Sequence, residues 1–326
     1  MDIVPHYLRF LRGVIDSQDL PLNISRETLQ DNPVLRKIRE GITSKVLSEL
    51  KKKAESDKEG FAKFWGNFGA VLKEGLCEGV PNKEKLLDVC RFYSTAGNEL
   101  TSLEAYVSRM KEGQNEVYYL TGDNLDALRQ SPQLEGFVSR GVEVLLLTDH
   151  VDDFWVNVVA DYKEKTFKSI TRANIDLDQF GEGKKPETEK ETPAQTEEEK
   201  DHIANLISLL KASYGEEVKD VRTTSKLTDT PTCLAIDEHG MDFRMERFLM
   251  EHRQLPKRAA KILEINPTHP LVKLMAEKAR KSGASDDIKD AAQLLLDQAR
   301  IVEGETITDA AGFARRLAAF MVRGLS

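Results

Sequence analysis

One segment constrains the architecture more than any other. Residues 181–200, GEGKKPETEKETPAQTEEEK, hold seven acidic and four basic residues and a single aliphatic side chain, Ala194. A stretch with so little apolar surface cannot bury enough of it to fold by itself. It therefore predicts an acidic linker, or a frayed and exposed helix, that divides the 326-residue chain. Two or three domains are usual for a chain of this length.

Composition narrows the classes of protein that fit. The sequence is 40% hydrophobic and 31% charged, and 47 basic against 55 acidic residues give a formal net charge of −8. Proteins that bind nucleic acid are more often basic, so we expect no nucleic-acid partner. No apolar run is long enough for a membrane span, and the N-terminus lacks a signal-peptide pattern. We therefore expect a cytoplasmic protein with no membrane partner.

Cysteine and histidine patterns argue against metal and disulfide sites. The cysteines Cys77, Cys90 and Cys233 are far apart and form no CxxC pair. The six histidines show no HxxxH or HExxH spacing, and no serine lies in a nucleophile-elbow motif. We predict neither a metal site nor hydrolase chemistry.

The spacing of apolar residues predicts two regions between residue 32 and the acidic segment. Residues 33–97 are expected to form a helical connector, with helices over 33–55, from a capping box at 56–59, and after Pro81 as far as Phe92. Residues 98–180 alternate strands at 116–121 and 142–147 with helices, one of them over 151–162. This alternation predicts a small α/β sandwich with a short parallel sheet.

Residues 201–326 are predicted to form an α+β domain. A helix carrying Ile203 and Leu206 precedes two strands, 218–227 and 232–237, joined by a turn at 228–231, and a short strand at 262–265. The overall fold class expected is therefore a multidomain combination of α/β and α+β parts.

A methionine-rich stretch has helical spacing. Its apolar residues fall at i, i+4, i+7 and i+8, with polar positions at Asp242, Arg244 and Glu246 between them. The four residues are Met241, Met245, Phe248 and Leu249. Such a stripe is usually core, but unbranched methionines also suit a surface that repacks against many partners. Gly240, just before it, is interpreted as a flexible hinge.

The last two helices, the second beginning near Asp309, each carry one apolar stripe. The stripes consist of Ile288, Ala292, Leu295 and Ala299 on one helix and Phe313, Leu317 and Phe320 on the other. Two helices at a chain end rarely enclose a core without a partner, so we expect a four-helix bundle across a two-fold axis in a homodimer. Packing onto the rest of the same chain is the alternative.

Several blocks resemble the ninety-kilodalton heat-shock protein chaperone family, in its bacterial type. The most specific is residues 20–30, LPLNISRETLQ, which is similar to the catalytic loop of that family's middle domain. Collinear matches are residues 7–17, Phe64-Trp65 with Phe68-Gly69, residues 71–75, 106–111, 118–121, 142–147, 227–231 and 263–267. The similarity runs in order over nearly the whole chain.

The resemblance implies an ATP-dependent molecular chaperone that acts in protein folding and the stress response. Family members have an N-terminal ATPase domain of the GHKL type, a middle domain and a C-terminal dimerisation domain. This chain is expected to be a fragment, the end of the middle domain plus the dimerisation domain, without the ATP pocket. Arg26 and Gln30 match the residues that contact the ATP γ-phosphate, a role for which an arginine suits the charge. ATP and Mg²⁺ are cofactors of the full-length protein; none is expected on this chain, which we predict to be inactive alone.

The resemblance also implies surfaces that bind clients, meaning non-native polypeptides. Asp153, Phe154 and Asn157 match a client-binding helix, although the family has Trp where this chain has Phe154 followed by Trp155. Met241 and Met245 match a helix that projects into the dimer cleft. Two other functions stay open: a nucleotide-independent dimeric scaffold or adaptor, and an enzyme with a site in the α/β sandwich.

Overall fold

The structure is a computed structural model that describes residues 4–16, 33–78, 82–181 and 196–325. The longer helices are α1 (Pro33–Ser56), α2 (Lys58–Cys77), α3 (Lys83–Val89), α4 (Leu103–Ser108), α5 (Leu125–Arg129), α6 (Glu135–Ser139), α7 (Asp152–Val158), α8 (Glu197–Tyr214), α9 (Phe243–Glu251), α10 (Pro270–Ser282), α11 (Asp286–Val302) and α12 (Ala310–Leu325). The strands are β1 (Arg91–Ser94), β2 (Gly97–Ser102), β3 (Glu116–Thr121), β4 (Leu145–Leu147), β5 (Asp161–Tyr162), β6 (Lys165–Ser169), β7 (Val218–Thr223), β8 (Thr232–Ala235) and β9 (Lys261–Ile265).

These elements form two compact units. Unit 1 comprises Met1–Met110, Asn115–Leu125 and Leu145–Lys168, and unit 2 comprises Lys111–Gln114, Asp126–Val144 and Ser169–Ser326. The domain boundaries given above from the sequence remain predictions.

Unit 1 begins with packed helices, as the periodicity predicts. Asp57 caps α2 by accepting a hydrogen bond from the Gly60 N–H (2.9 Å), so the cap falls one residue later than the start of the predicted capping box. Helix α2 then buries an apolar stripe against α1 and α3, because its large side chains recur every three to four residues. The buried members of the stripe are Phe61, Trp65, Leu72 and Leu76.

The six-stranded sheet of unit 1 has the order β2-β1-β4-β3-β6-β5. Strands β3 and β4 pair in parallel, as predicted, with Tyr119 opposite Leu145. The β1–β2, β1–β4 and β5–β6 pairs are antiparallel, so the sheet is mixed and the short parallel sheet of the prediction is one pair within it. The two hairpins explain the difference, since strands joined by two residues can only run antiparallel.

The predicted third helix is too long. Helix α3 ends at Val89, Cys90 has extended backbone angles, and Phe92 lies in β1. Residues 33–97 therefore contain a helical part followed by strand β1 and the first residue of β2. The helix predicted over 151–162 is also shorter, since α7 ends at Val158.

Unit 2 contains a three-stranded sheet of order β7-β9-β8. Strand β9 pairs in parallel with β7 and antiparallel with β8, so the two strands joined by the predicted turn at 228–231 are separated by β9. Helices α8, α10 and α11 pack against this sheet around a core that includes Leu206, Leu263 and Leu296. A layer of helices on a mixed sheet is consistent with the predicted α+β class.

The acidic segment is described only at its ends. Residues 182–195 lie outside the described residues. Residues 196–200, predicted as linker or exposed helix, are the N-cap and first residues of α8. Thr196 accepts a hydrogen bond from the Glu199 N–H (3.2 Å), and the Glu199 carboxylate accepts one from the Thr196 N–H (2.9 Å). This reciprocal capping box starts the helix at Glu197.

In the part of the chain that the structure describes, the helices are too short or too polar to cross a lipid bilayer.

Candidate functional site

Helix α9 carries most of the predicted methionine face. The helix begins at Phe243, and Asp242 is its N-cap, accepting a hydrogen bond from the Arg244 N–H (3.3 Å). Met241 therefore precedes the helix instead of sharing it, which corrects the predicted i, i+4 pairing. Met245, with Phe248 and Leu249, remains within the helix.

Two charged side chains of α9 are buried. Arg244 and Glu246, expected to be polar positions between the apolar ones, are only 5% and 4% exposed. The Glu246 Oε2 atom lies 2.7 Å from the Nζ atom of Lys261, and its Oε1 atom accepts a hydrogen bond from the Ala259 N–H (2.9 Å). The Lys261 ammonium lies 5.3 Å from the centroid of the Phe243 ring. A buried, hydrogen-bonded ion pair thus joins α9 to β9.

Two apolar side chains, one on α9 and one just before it, lie at the surface. Phe248 is 41% exposed and Met241 is 40% exposed, while Met245 and Leu249 are half-buried. Phe248 and Met241 therefore leave apolar side chains of unit 2 accessible to solvent.

Gly240, predicted to be a hinge, is held in place. Its carbonyl oxygen accepts a hydrogen bond from Nη1 of Arg172 (2.5 Å), and its N–H donates to the Asp237 carbonyl (2.9 Å). A Cβ atom at Gly240 would lie 2.4 Å from Ile236 Cγ2, so the position needs glycine because the backbone passes close to a side chain. The hinge interpretation is therefore wrong.

Helix α7 in unit 1 holds the second predicted client-binding set. Phe154 is 46% exposed and Asn157 is exposed, whereas Asp153 is 7% exposed. Asn157 donates to the Asp153 carbonyl oxygen (2.7 Å). Trp155 is fully buried and packs edge-on against the ring of Phe167, with centroids 5.1 Å apart. Phe154 is thus the aromatic ring at the surface and Trp155 belongs to the core.

A buried charge cluster lies beneath α7. The Nζ atom of Lys73 lies 2.6 Å from Asp152 Oδ1 and 2.7 Å from Asp149 Oδ2. Asp152 Oδ1 also accepts a hydrogen bond from Trp155 Nε1 (2.6 Å). Burial lowers the pKa of Lys73, but the carboxylates of Asp152 and Asp149 outweigh burial and raise it. The lysine therefore stays charged and fixes the first turn of α7.

The predicted dimer residues divide into two groups. The stripe on α11 is buried within this chain, where it packs in the core of unit 2 under the sheet and α8. Its members are Ile288, Ala292, Leu295 and Ala299. On α12, Phe313 and Phe320 are half-buried and Leu317 is 41% exposed. Packing onto the same chain, the alternative given above, therefore describes the α11 stripe.

Helix α12 and the end of α11 expose other apolar residues. Asp309 caps α12 by accepting from the Gly312 N–H (2.8 Å), and Gly312 is the buried residue of that helix. The remaining apolar side chains of α12 lie largely at the surface because the helix packs mainly against α11. Exposed apolar residues in this region are Ile301 (48%), Val302 (48%), Met321 (57%), Val322 (68%) and Leu325 (87%).

Arg26 and Gln30, the predicted contacts to the ATP γ-phosphate, lie outside the described residues. Within the described ranges there is no group of three or more His, Cys, Asp or Glu side chains that would hold a metal ion.

Sequence reasoning missed the buried charges beneath both helices. Glu246 and Arg244 were predicted only as polar positions between the apolar residues. A signal was present in β9, where Lys261 and Glu264 interrupt an apolar strand: charged residues there are either exposed or paired, and both are buried at 6% and 1% exposure. The partner of each depends on tertiary contacts, which spacing does not specify.

Comparison with known proteins gives a consistent family. A model of the family described as Hsp90 protein matches residues 1–326. The chain is 51% identical over 321 residues to a protein named Chaperone protein HtpG from Wolbachia pipientis wMel, covering 97% of this chain and 50% of that protein. Proteins of the same name from Roseobacter denitrificans (51% identity, 98% of this chain, 51% of that protein) and Paramagnetospirillum magneticum (50%, 99% and 51%) are similar to it as well. The chain spans about half the length of these curated relatives. Because the family model matches the chain along its whole length, the chain belongs to the Hsp90 protein family.

Proposed function

We propose that this chain is the client-binding and dimerising part of an ATP-dependent molecular chaperone that acts in protein folding and the stress response in the bacterial cytoplasm. The observation that carries the proposal is in helix α9, which turns Glu246 inward and leaves Phe248 at the surface. The name of the similar proteins, chaperone protein HtpG, supports it. In this proposal the domains are those predicted from the sequence: 1–32, 33–97, 98–180, 181–200 and 201–326.

The chemistry of the α9 surface suits binding to many different unfolded chains. Methionine is unbranched and polarizable, so Met241 and Met245 can adapt to varied apolar partners, while Phe248 offers a large apolar face. A client segment is therefore expected to be apolar and to need no fixed sequence. Phe154 and Asn157 on α7 are proposed as a second contact, because both lie at the surface of unit 1.

A substitution experiment tests client binding. Replacing Met241 and Met245 with Ser should weaken suppression of client aggregation, since each loses apolar contact area with the client. Unfolding temperature should change little, because neither side chain is fully buried. The matched control replaces Leu271 and Leu274, exposed residues of α10, with Ser. Equal aggregation suppression by the two double variants would contradict the proposal, and a dimer with no suppression at all would favour a scaffold.

Dimerisation is proposed through α12 and the end of α11. Burying the exposed residues of these helices against a second copy would form an isologous four-helix arrangement about a two-fold axis. The α11 stripe would then support the interface from within each subunit. Light scattering should give twice the chain mass, and Met321→Asp together with Val322→Asp should give the monomer mass. A monomeric parent chain at micromolar concentration would refute this part of the proposal.

ATP and Mg²⁺ are proposed to bind the N-terminal ATPase domain of the full-length protein, with Arg26 and Gln30 directed to the γ-phosphate. An arginine supplied by another domain neutralises charge on the transferring phosphate. The isolated chain should therefore show no ATPase above background. In the full-length protein, Arg26→Ala should lower turnover more than it lowers ATP affinity. Arg26-dependent hydrolysis by the isolated chain would contradict this assignment.

A further inference from the structure

We propose that Glu246 and Lys261 are the positioning pair that decides which face of α9 is presented to a client. This inference rests on the proposed function of the α9 surface and adds the residues that control it. Neither side chain is at the surface, so neither is offered as a client contact.

The two faces of α9 are linked by helix geometry. Successive residues are about 100° apart around a helix, so Glu246 and Phe248 lie roughly 200° apart, on opposite sides. Any rotation that carries Phe248 toward the protein must carry Glu246 toward solvent. The direction of one side chain therefore determines the direction of the other.

Lys261 supplies a fixed reference point for that rotation. It is the first residue of β9, opposite Val218 of β7, and its side chain is 6% exposed. The Ala259 N–H, two residues earlier on the same segment, holds the other carboxylate oxygen of Glu246. If α9 turned, the Lys261 ammonium would be left buried without its carboxylate, which is strongly unfavourable.

The start of α9 is held independently. The Asp242 Oδ2 atom lies within hydrogen-bond distance of the hydroxyls of Ser169 (3.2 Å) and Thr171 (3.4 Å), and Asp242 also caps the helix. These contacts hold the start of the helix. The Glu246–Lys261 pair holds the helix against β9.

The opposing tendency is hydrophobic. Phe248 and Met245, which lie about 60° apart on the helix, would gain burial if they turned inward. Without a buried charge on the inner side of α9, burial of its exposed apolar side chains would be favourable. The ion pair thus holds an apolar surface in water, where a client can reach it.

The experiment uses the full chain and four variants: Glu246→Met, Lys261→Met, the double Glu246→Met/Lys261→Met, and Glu251→Gln as a control that removes an exposed carboxylate from the same helix. The double variant is decisive, because replacing both members of a buried ion pair with apolar residues is often neutral for stability. Either single replacement leaves one buried charge without its partner. Each chain is also made with Phe248→Cys, and the parent chain gives the labelling background of its own cysteines.

Two readouts separate positioning from stability. The first is the maleimide labelling rate of Phe248→Cys in folded protein. The second is the affinity for fluorescein-labelled casein, an unfolded polypeptide. If residue 248 points outward in about one molecule in ten of the double variant, its labelling rate and its affinity for casein each fall by about tenfold. The unfolding temperature stays unchanged. A purely structural role predicts the opposite change, faster labelling through local opening.

The outcomes are distinct. Slower labelling with weaker casein binding in the double variant, and neither change in Glu251→Gln, supports the inference. Unchanged or faster labelling in folded double variant overturns it. If Met241→Ser/Met245→Ser binds casein as well as the parent chain, the proposed function fails instead, and the labelling rates still decide whether the pair sets the orientation.

Discussion

Removing the ammonium group of Lys73 should destabilise unit 1 by about 3 kcal/mol. Breaking a buried ion pair by deleting one partner costs on the order of 3–5 kcal/mol, because the remaining charge is buried alone. The lower end applies here, since Asp149 is 40% exposed and water can solvate it. Asp152 is fully buried but keeps hydrogen bonds from Trp155 Nε1 and the Asp149 N–H.

The assay for Lys73→Met is tryptophan fluorescence. The chain has two tryptophans, Trp65 and Trp155, and both lie in unit 1, so their signal follows that unit. The midpoint of thermal unfolding should fall by roughly 6–12 °C. Lys45→Met, which removes an exposed ammonium paired with Glu49, should change stability by less than about 1 kcal/mol.

A second substitution tests the cause. In Lys73→Met/Asp152→Asn the buried charge is gone and the amide oxygen can still accept from Trp155 Nε1, but the amide NH2 cannot accept from the Asp149 N–H. Part of the lost stability should therefore return. A loss below about 1 kcal/mol for Lys73→Met would refute the reasoning, since this is the range of a surface pair. A double variant no more stable than Lys73→Met would show that the stranded carboxylate is not the cause.

Three further predictions concern single positions. Burial raises the pKa of Glu303 to about 7, against the hydrogen bond from Gln133, so the folded state binds a proton more tightly than the unfolded state. Stability should be full below pH ~4.5 and fall by about 3 kcal/mol as pH rises to ~7, and Glu303→Gln should flatten that slope in urea titrations. Glu164, at φ 64° in the two-residue β5–β6 turn, suits glycine, so Glu164→Gly should raise stability by about 0.5 kcal/mol in the fluorescence assay. Thr196→Ala should cost about 1 kcal/mol, read by circular dichroism, because the cap of α8 is lost.

Elements with strong local signals were predictable. Strand β3 has the predicted bounds at Glu116–Thr121, and β9 begins one residue before the predicted strand. Helix α2 was predicted from the helical spacing of its aromatic residues, and the structure contains it. Strand β1 was missed because it has only four residues, and β2 because it is almost wholly polar and shows no alternation of apolar and polar residues.

Candidate site residues were predicted less completely. The stretch around Met245 was identified from spacing and family resemblance, but its spacing fits an inward face as well as an outward one. Only the contact between Glu246 and Lys261 distinguishes them. The same holds for Phe154 and Trp155, which are neighbours in sequence and differ by 46% against 0% exposure.

The sequence by itself determined the family, the helices with clear stripes, the strands with apolar runs and the acidic segment near the middle of the chain. These follow from local periodicity and from ordered motifs, which need no contact between distant residues. Tertiary structure alone decided the order of the strands, the placing of β9 between β7 and β8, and the direction of each amphipathic helix. The physical reason is that a buried charge takes its partner from a remote segment, as Lys73 does with Asp152, and periodicity carries no information about that partner.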